Sequence, residues 1–212
     1  MLRERQDVNV DLDRKFNVVK AFGIEVIDEN KKKISGEQIQ SYFDNNISEI
    51  VLDAEGNVLE GVSSADLTKE ELKMKTKLPL YLWTEDGKVT KYALPISGMG
   101  LWSTLYGYLA LDGDLATVIG ITFYKHGETP GLGAEVDRDW FQKQFIGKKI
   151  WKDGALLQFQ VLKGTVEGKY PDGNDHAVDG ISGATMTGNG INKFLNADLE
   201  KYEKYFTKVR RT

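Results

Sequence analysis

Apolar positions recur along this chain at two spacings. Leu12, Phe16 and Val19 fall at i, i+4 and i+7, which puts them on one face of a helix ending near Gly23. A second helix is predicted from Ser35, where Ser35 and Gln38 form a capping box ahead of Ile39, Tyr42 and Phe43. The middle of the chain then reads as strands. Residues 80–83 and 89–94 flank Asp86-Gly87, a dipeptide that readily supplies the positive φ values of a tight hairpin. Residues 104–111 and 115–124 flank Asp112-Gly113-Asp114 in the same manner, and residues 156–161 alternate as one half-buried strand should. Between these strands, Val136 with Trp140 and Phe141 with Phe145 give two i,i+4 pairs on a helix stopped by Gly147. Ile191, Phe194, Leu195, Leu199, Tyr202 and Phe206 form the apolar stripe of a C-terminal helix, with Thr187 or Asn189 as its N-cap.

The pattern predicts an α+β fold: a single compact domain with a mostly antiparallel sheet, flanking helices and a C-terminal helix. The 212 residues, with 41% hydrophobic and 28% charged, can bury a core without staples. A net charge of −4 gives no reason to expect a nucleic-acid partner. Having no cysteine excludes a thiol nucleophile, disulfides, and cysteine-ligated iron–sulfur or zinc sites. With only His126 and His176, a multi-histidine metal site is not supported either, so no metal ligands are assigned. Any redox chemistry therefore needs an organic cofactor. No run of about 18 apolar residues spans a bilayer.

The chemistry-bearing stretch is Ser182-Gly-Ala-Thr185-Met-Thr187-Gly-Asn-Gly190, hydroxyl-rich, glycine-rich and opening into the C-terminal helix. A helix start offers unpaired N–H groups and partial positive charge, which suits a phosphate. From composition alone, a capped turn with spare hydroxyls is the simpler reading. Neither a Gly-Lys-Ser/Thr loop nor a Gly-x-Gly-x-x-Gly fingerprint is present. A second segment, His126-Gly-Glu128-Thr129-Pro130-Gly131-Leu132-Gly133, is a rigid Pro-Gly turn carrying an apolar Leu132, and would alone pass for a strand-to-helix connection. A third, Gly98-Met-Gly100-Leu101-Trp102-Ser103, is a Gly-rich loop leading into a strand.

Asp179-Gly-Ile-Ser182-Gly-Ala-Thr185 resembles the flavinylation motif of the FMN-binding domain family. In that family a flavin transferase moves FMN from FAD onto the final threonine as a phosphoester. The resemblance implies Thr185 as acceptor, with Asp179 and Ser182 recognised by the transferase or shaping the turn, and with Gly183, whose backbone can approach an anion closely, and Ala184 as further cofactor-binding residues. The six residues Glu128-Thr-Pro-Gly-Leu-Gly133 match a loop that lies along the flavin in the same family, which adds Glu128, Thr129, Gly131, Leu132 and Gly133. Trp102, opposite Leu132, would supply the second flat apolar face for the ring; a tryptophan is otherwise a core residue. Trp83, Trp140 and Trp151 read as packing residues, and Lys163, Lys169 and His176 as solvated or loop residues. No catalytic acid or base is assigned.

Residues 98–111 and the stretch Leu12-Asp-Arg-Lys-Phe-Asn-Val-Val19 are similar to one branch of that family, the C subunits of the Na+-translocating NADH:quinone oxidoreductases. The related G subunits of the Rnf ferredoxin:NAD+ complexes share the threonine motif but not these two segments. The implied organisation is a juxtamembrane-like helix over residues 1–23 followed by an FMN-binding domain over residues 24–212. The implied role is an electron relay on FMN, within a complex that oxidises NADH, reduces quinone and exports Na+. The other subunits of that complex and, during maturation, the flavin transferase are the implied partners. That branch holds its domain on the outer side of the cytoplasmic membrane by an N-terminal helix, and the charged start at residues 1–6 reads as sequence just beyond it.

Overall fold

The computed structural model describes residues 2–27 and 32–210, with side chains from residue 11 onward. The side chains of the charged start therefore lie outside the described residues. Helix α1 (Leu2–Ala21) and helix α2 (Gly36–Asn45) precede β1 (Ile47–Leu52). A short helix α3 (Lys69–Met74) leads into β2 (Leu78–Glu85), β3 (Lys88–Met99), β4 (Thr104–Asp112) and β5 (Val118–Lys125). These five strands form one antiparallel sheet in chain order, β1-β2-β3-β4-β5. No helix among the described residues is long and apolar enough to cross a membrane.

Local signals behave as the pattern predicts. Ser35 caps α2 in a reciprocal box with Gln38. Asp86 and Gly87 both adopt positive φ, 48° and 73°, between β2 and β3, and that twist matches the right-handed twist of the strands. Strand alternation then builds two cores, because successive side chains point to opposite faces. Leu80, Leu94, Ile96, Leu109 and Leu111 pack under the C-terminal helix α6 (Thr185–Arg210), against Phe194, Leu195, Leu199, Tyr202 and Phe206. Tyr81, Trp83, Ala93, Tyr108 and Ala110 face the other way, onto Val18, Val19 and Phe22 of the α1 end and Ile39 of α2. The α+β sandwich with its long C-terminal helix agrees with the fold expected from the pattern.

Several expectations are corrected. The turn after β4 is longer than Asp112-Gly113-Asp114 alone suggests: Leu115 takes a φ of 51° and the Asp114 carboxylate accepts from the amides of Ala116 and Thr117, so β5 begins at Val118. The helix expected across residues 136–145 is broken into a 3-10 turn (Gly133–Asp137), helix α4 (Asp139–Gln142) and another 3-10 turn (Lys143–Phe145). Val136, Phe141 and Phe145 are still buried, but Trp140 is exposed and its indole N–H donates to Glu135. Trp83 and Trp151 do pack inside.

The strand expected over residues 156–161 does not exist as one element. A two-residue hairpin pairs β6 (Trp151–Lys152) with β7 (Ala155–Leu156), whereas β8 (Gln160–Val161) pairs in parallel with β9 (Ala177–Val178). The cause is a pair of asparagines on α6. Asn196 accepts from the Phe159 amide at 2.7 Å and donates to its carbonyl at 2.9 Å, and Asn192 does the same for Val161 at 2.5 and 3.0 Å. Side-chain amides of a helix thus satisfy backbone that a neighbouring strand would otherwise serve. A one-turn helix α5 (Val166–Lys169), capped by Thr165, fills the connection to β9. This arrangement fastens β9, and hence the loop after it, to the side of α6.

Candidate functional site

The start of α6 gathers turns that are distant in sequence: residues 100–103 between β3 and β4, residues 126–133 after β5, and residues 179–184 after β9. Helix α6 begins at Thr185, earlier than either expected cap. Ala184 therefore occupies the cap position and has no side-chain acceptor to offer the first-turn N–H groups, which also lack intrahelical partners. Thr187 is instead the third helical residue and is only 1% exposed, while Thr185 is half-buried and Ser182, Gly183 and Met186 are exposed.

Glu128 ties its own turn and the 100–103 turn to the first turn of α6. Its side chain is buried at 5% exposure. One oxygen, Oε1, accepts from the amides of Trp102 (2.9 Å) and Ser103 (3.1 Å); the other, Oε2, accepts from the Leu101 amide (3.2 Å) and from the Thr187 hydroxyl (2.6 Å). Burial acts to raise the pKa of the carboxyl. The donors outweigh it, the Thr187 hydroxyl first and then the amides of Trp102, Leu101 and Ser103, and hold it below the usual carboxylate value. The Ser103 hydroxyl receives the Gly127 amide at 2.6 Å, and Nδ1 of His126 receives the Glu128 amide at 3.3 Å, so the clasp is buttressed on both sides.

Close approach dictates two glycines here. A Cβ on Gly133 would lie 2.6 Å from the Thr187 hydroxyl and 2.7 Å from the Glu128 carboxylate. One on Gly190 would lie 2.3 Å from the Met99 carbonyl oxygen and 2.9 Å from the Gly100 Cα. The glycine in each place lets α6 touch the other two turns. Leu132 reaches across to the acceptor loop, its Cδ2 2.8 Å from where a Cβ on Gly183 would stand.

Trp102 (68% exposed) and Leu132 are open apolar surface on turns that converge at α6, and Met99, Leu101 and Met186 extend that surface. Periodicity gives no sign of the last three, since Met99 and Leu101 lie in a glycine-rich stretch and Met186 among small and hydroxyl residues. Thr129 and Gly131 are exposed, and the Thr129 carbonyl closes the turn by accepting from Leu132 and Ala134, both at 3.1 Å. Asp179 shapes its loop: it accepts from the Val166 amide at 2.6 Å, and its own amide donates to Gln144 at 2.8 Å. Lys169 donates to Gln160 at 3.0 Å and lies over the Tyr170 ring, and Lys163 is exposed. His176 is held through its backbone, where its amide donates to Asn174 and its carbonyl accepts from Gln160. The Glu128–Thr187 bond was not legible, because no spacing rule links residues 59 apart.

Uncapped helical N–H groups beside open, flat apolar side chains form a donor set suited to a phosphate attached to an aromatic ring. Residues 100–200, which contain every part of this site except Met99, match the FMN-binding domain family. The fold and site thus define an FMN-binding domain, and FMN is its cofactor.

Whole-chain likeness is narrower. The chain is 32% identical to the C subunit of the Na(+)-translocating NADH-quinone reductase of Pseudomonas aeruginosa, over 99% of this chain and 87% of that protein. It is 35% identical to the corresponding protein of Vibrio alginolyticus, over 90% and 77%. The crystal structure of the C subunit from Parabacteroides distasonis superposes with a TM-score of 0.82 at 31% identity, covering 98% of each chain. This chain belongs to the family of C subunits of the Na(+)-translocating NADH-quinone reductases.

Proposed function

We propose that this domain is an electron-transfer subunit whose FMN is joined by a phosphoester to Thr185, within a complex that passes electrons from NADH to quinone and exports Na+. The reading rests on one observation above all: Thr185 opens an uncapped 26-residue helix next to the exposed apolar side chains of Leu132, Trp102 and Met186. FMN supplies a ring that takes up and releases electrons. The chain's own residues do the rest. The first-turn N–H groups of α6 face the linked phosphate, the apolar side chains cover ring surface and exclude water, and Glu128 holds the covering turn against the helix. No side chain is asked to act as a general acid or base, and Thr185 is a tether.

On this reading the other subunits of the complex are the electron donor and acceptor, and a flavin transferase loads the domain on the outer side of the cytoplasmic membrane. The test is mass spectrometry after co-expression with a flavin transferase. One FMN on the peptide containing Thr185, lost in Thr185→Ala, is the expected result. An unmodified wild-type chain, or an adduct that survives Thr185→Ala elsewhere in the protein, overturns the covalent assignment.

A further inference from the structure

Two threonine hydroxyls, Thr185 and Thr187, sit in the same first turn of α6. An attachment reaction directed at this turn must distinguish them. Resting on the attachment proposed above, we infer that the Glu128–Thr187 hydrogen bond is the positioning device for flavin attachment, withdrawing Thr187 as an acceptor and fixing the helix start so that Thr185 alone is presented.

The reaction makes a bond from the threonine Oγ1 to the FMN phosphorus of FAD. It breaks the pyrophosphate P–O bond, releases AMP, and gives up the hydroxyl proton to solvent or to the transferase. It is a group transfer with no net oxidation. Its requirement at the acceptor is access, since the phosphorus must reach the oxygen along an open line. Thr187 fails on two counts. It is 1% exposed, roofed by Gly133, where even a methyl group would stand 2.6 Å from its oxygen. Its hydroxyl proton is also committed at 2.6 Å to a carboxylate. A carboxylate so placed would ordinarily activate a hydroxyl as a nucleophile, but here burial prevents any diphosphate from arriving, and the carboxylate's charge repels one.

The same bond acts on Thr185. Glu128 carries the Leu101, Trp102 and Ser103 amides on its two oxygens, so the 100–103 turn and the first turn of α6 are one unit joined at Thr187. Cutting the joint frees the helix start from the turn that faces it. Glu128 and Thr187 are thus positioning residues for the attachment step. Their glycine neighbours Gly133 and Gly190 keep the joint closed.

The experiment measures FMN on the full chain, site-localised by fragmentation, during timed incubation with a flavin transferase and FAD. Wild type takes FMN at Thr185. Thr185→Ala takes none at Thr187. Thr187→Val, which keeps the shape and removes the hydroxyl, slows attachment at Thr185 by about tenfold, the size expected from losing one buried hydrogen bond to a charged group. Thr187→Ser, which restores the hydroxyl, recovers a rate within about twofold of wild type. FMN at Thr187 in Thr185→Ala, or wild-type kinetics in Thr187→Val, overturns the inference. So does a slow Thr187→Ser, since recovery by the hydroxyl is what separates this joint from generic packing. Failure of wild type itself to take FMN at Thr185 would instead overturn the proposed attachment.

Discussion

Glu128 and Asp198 are both buried carboxylates, one bonded to the first turn of α6 and one carried by α6 near its middle, yet their acidities move in opposite directions. Asp198 is pushed up by burial, in spite of Lys75 beside it and the Ser97 amide. Its Oδ1 meets the Lys75 ammonium at 2.5 Å and its Oδ2 accepts from Ser97 at 2.9 Å, while the ammonium also donates to the Ser97 carbonyl at 2.6 Å. Glu128 has no cation in its clasp among the described residues, but it has more donors, and it is held below its ordinary value. Fixed neutral dipoles can stabilise a buried anion as well as a counter-ion does, and they leave its charge uncancelled. The pair at Asp198 is nearly neutral and fastens α6 to β3. The clasp at Glu128 leaves a net negative charge under the apolar surface of the site.

The comparison breaks most forcefully at the middle of α6. Asp198→Ala leaves the partly buried Lys75 ammonium with the Ser97 carbonyl alone and the Ser97 amide without its carboxylate acceptor. Equilibrium denaturant unfolding should show a loss of about 3–5 kcal/mol, the usual cost of removing one partner of a buried pair. Next in size is a contrast between two glycines of the first helical turns. Gly190→Ala drives a methyl into the Met99 carbonyl and the Gly100 Cα; thermal unfolding should report a loss of about 1–3 kcal/mol from overpacking. Gly188→Ala meets only the Val161 side chain, Cγ1 at 3.2 Å and Cβ at 3.7 Å, and should stay within about 1 kcal/mol of wild type because better helix propensity offsets the tight contact.

The smallest effect sharpens the comparison by pH. Glu128 is depressed, so its contribution is complete above the unfolded carboxyl value and is lost as pH falls through its folded value. Asp198 is raised, so its contribution is complete below the unfolded value and is lost as pH rises through its folded one. On acidification, the stability gap between wild type and Glu128→Gln should shrink, while the gap between wild type and Asp198→Asn should widen. Parallel slopes in the two urea-unfolding series would contradict the opposite electrostatics of the two sites.

Legibility followed the range of the interactions. The Ser35 box and the Asp86-Gly87 turn depend on neighbours within a few residues, and both form where the pattern places them. The α6 stripe is equally plain, because one buried face repeats along the whole helix. The segment 156–161 misled, since its alternation is that of a strand while its backbone partners are Asn192 and Asn196. Trp140 misled because the helix meant to bury it is interrupted, leaving its ring on the outside. Hydroxyl and amide side chains favour caps, which points to Thr187 or Asn189 as the cap of α6. Thr187 spends its hydroxyl on Glu128 instead, and the helix runs back to Thr185.

By itself the sequence determined the class of fold, the sheet's central hairpin, the helix that ends the chain, and the loop carrying Thr185. All of these are written in periodicity, turn chemistry or a contiguous motif. Only the tertiary structure decided what surrounds that threonine: which hydroxyl is open, which is locked, and which apolar side chains stand beside them. Those outcomes depend on three turns meeting at one carboxylate. Hydrogen bonds between residues 25 to 59 positions apart leave no local trace in the chain that forms them.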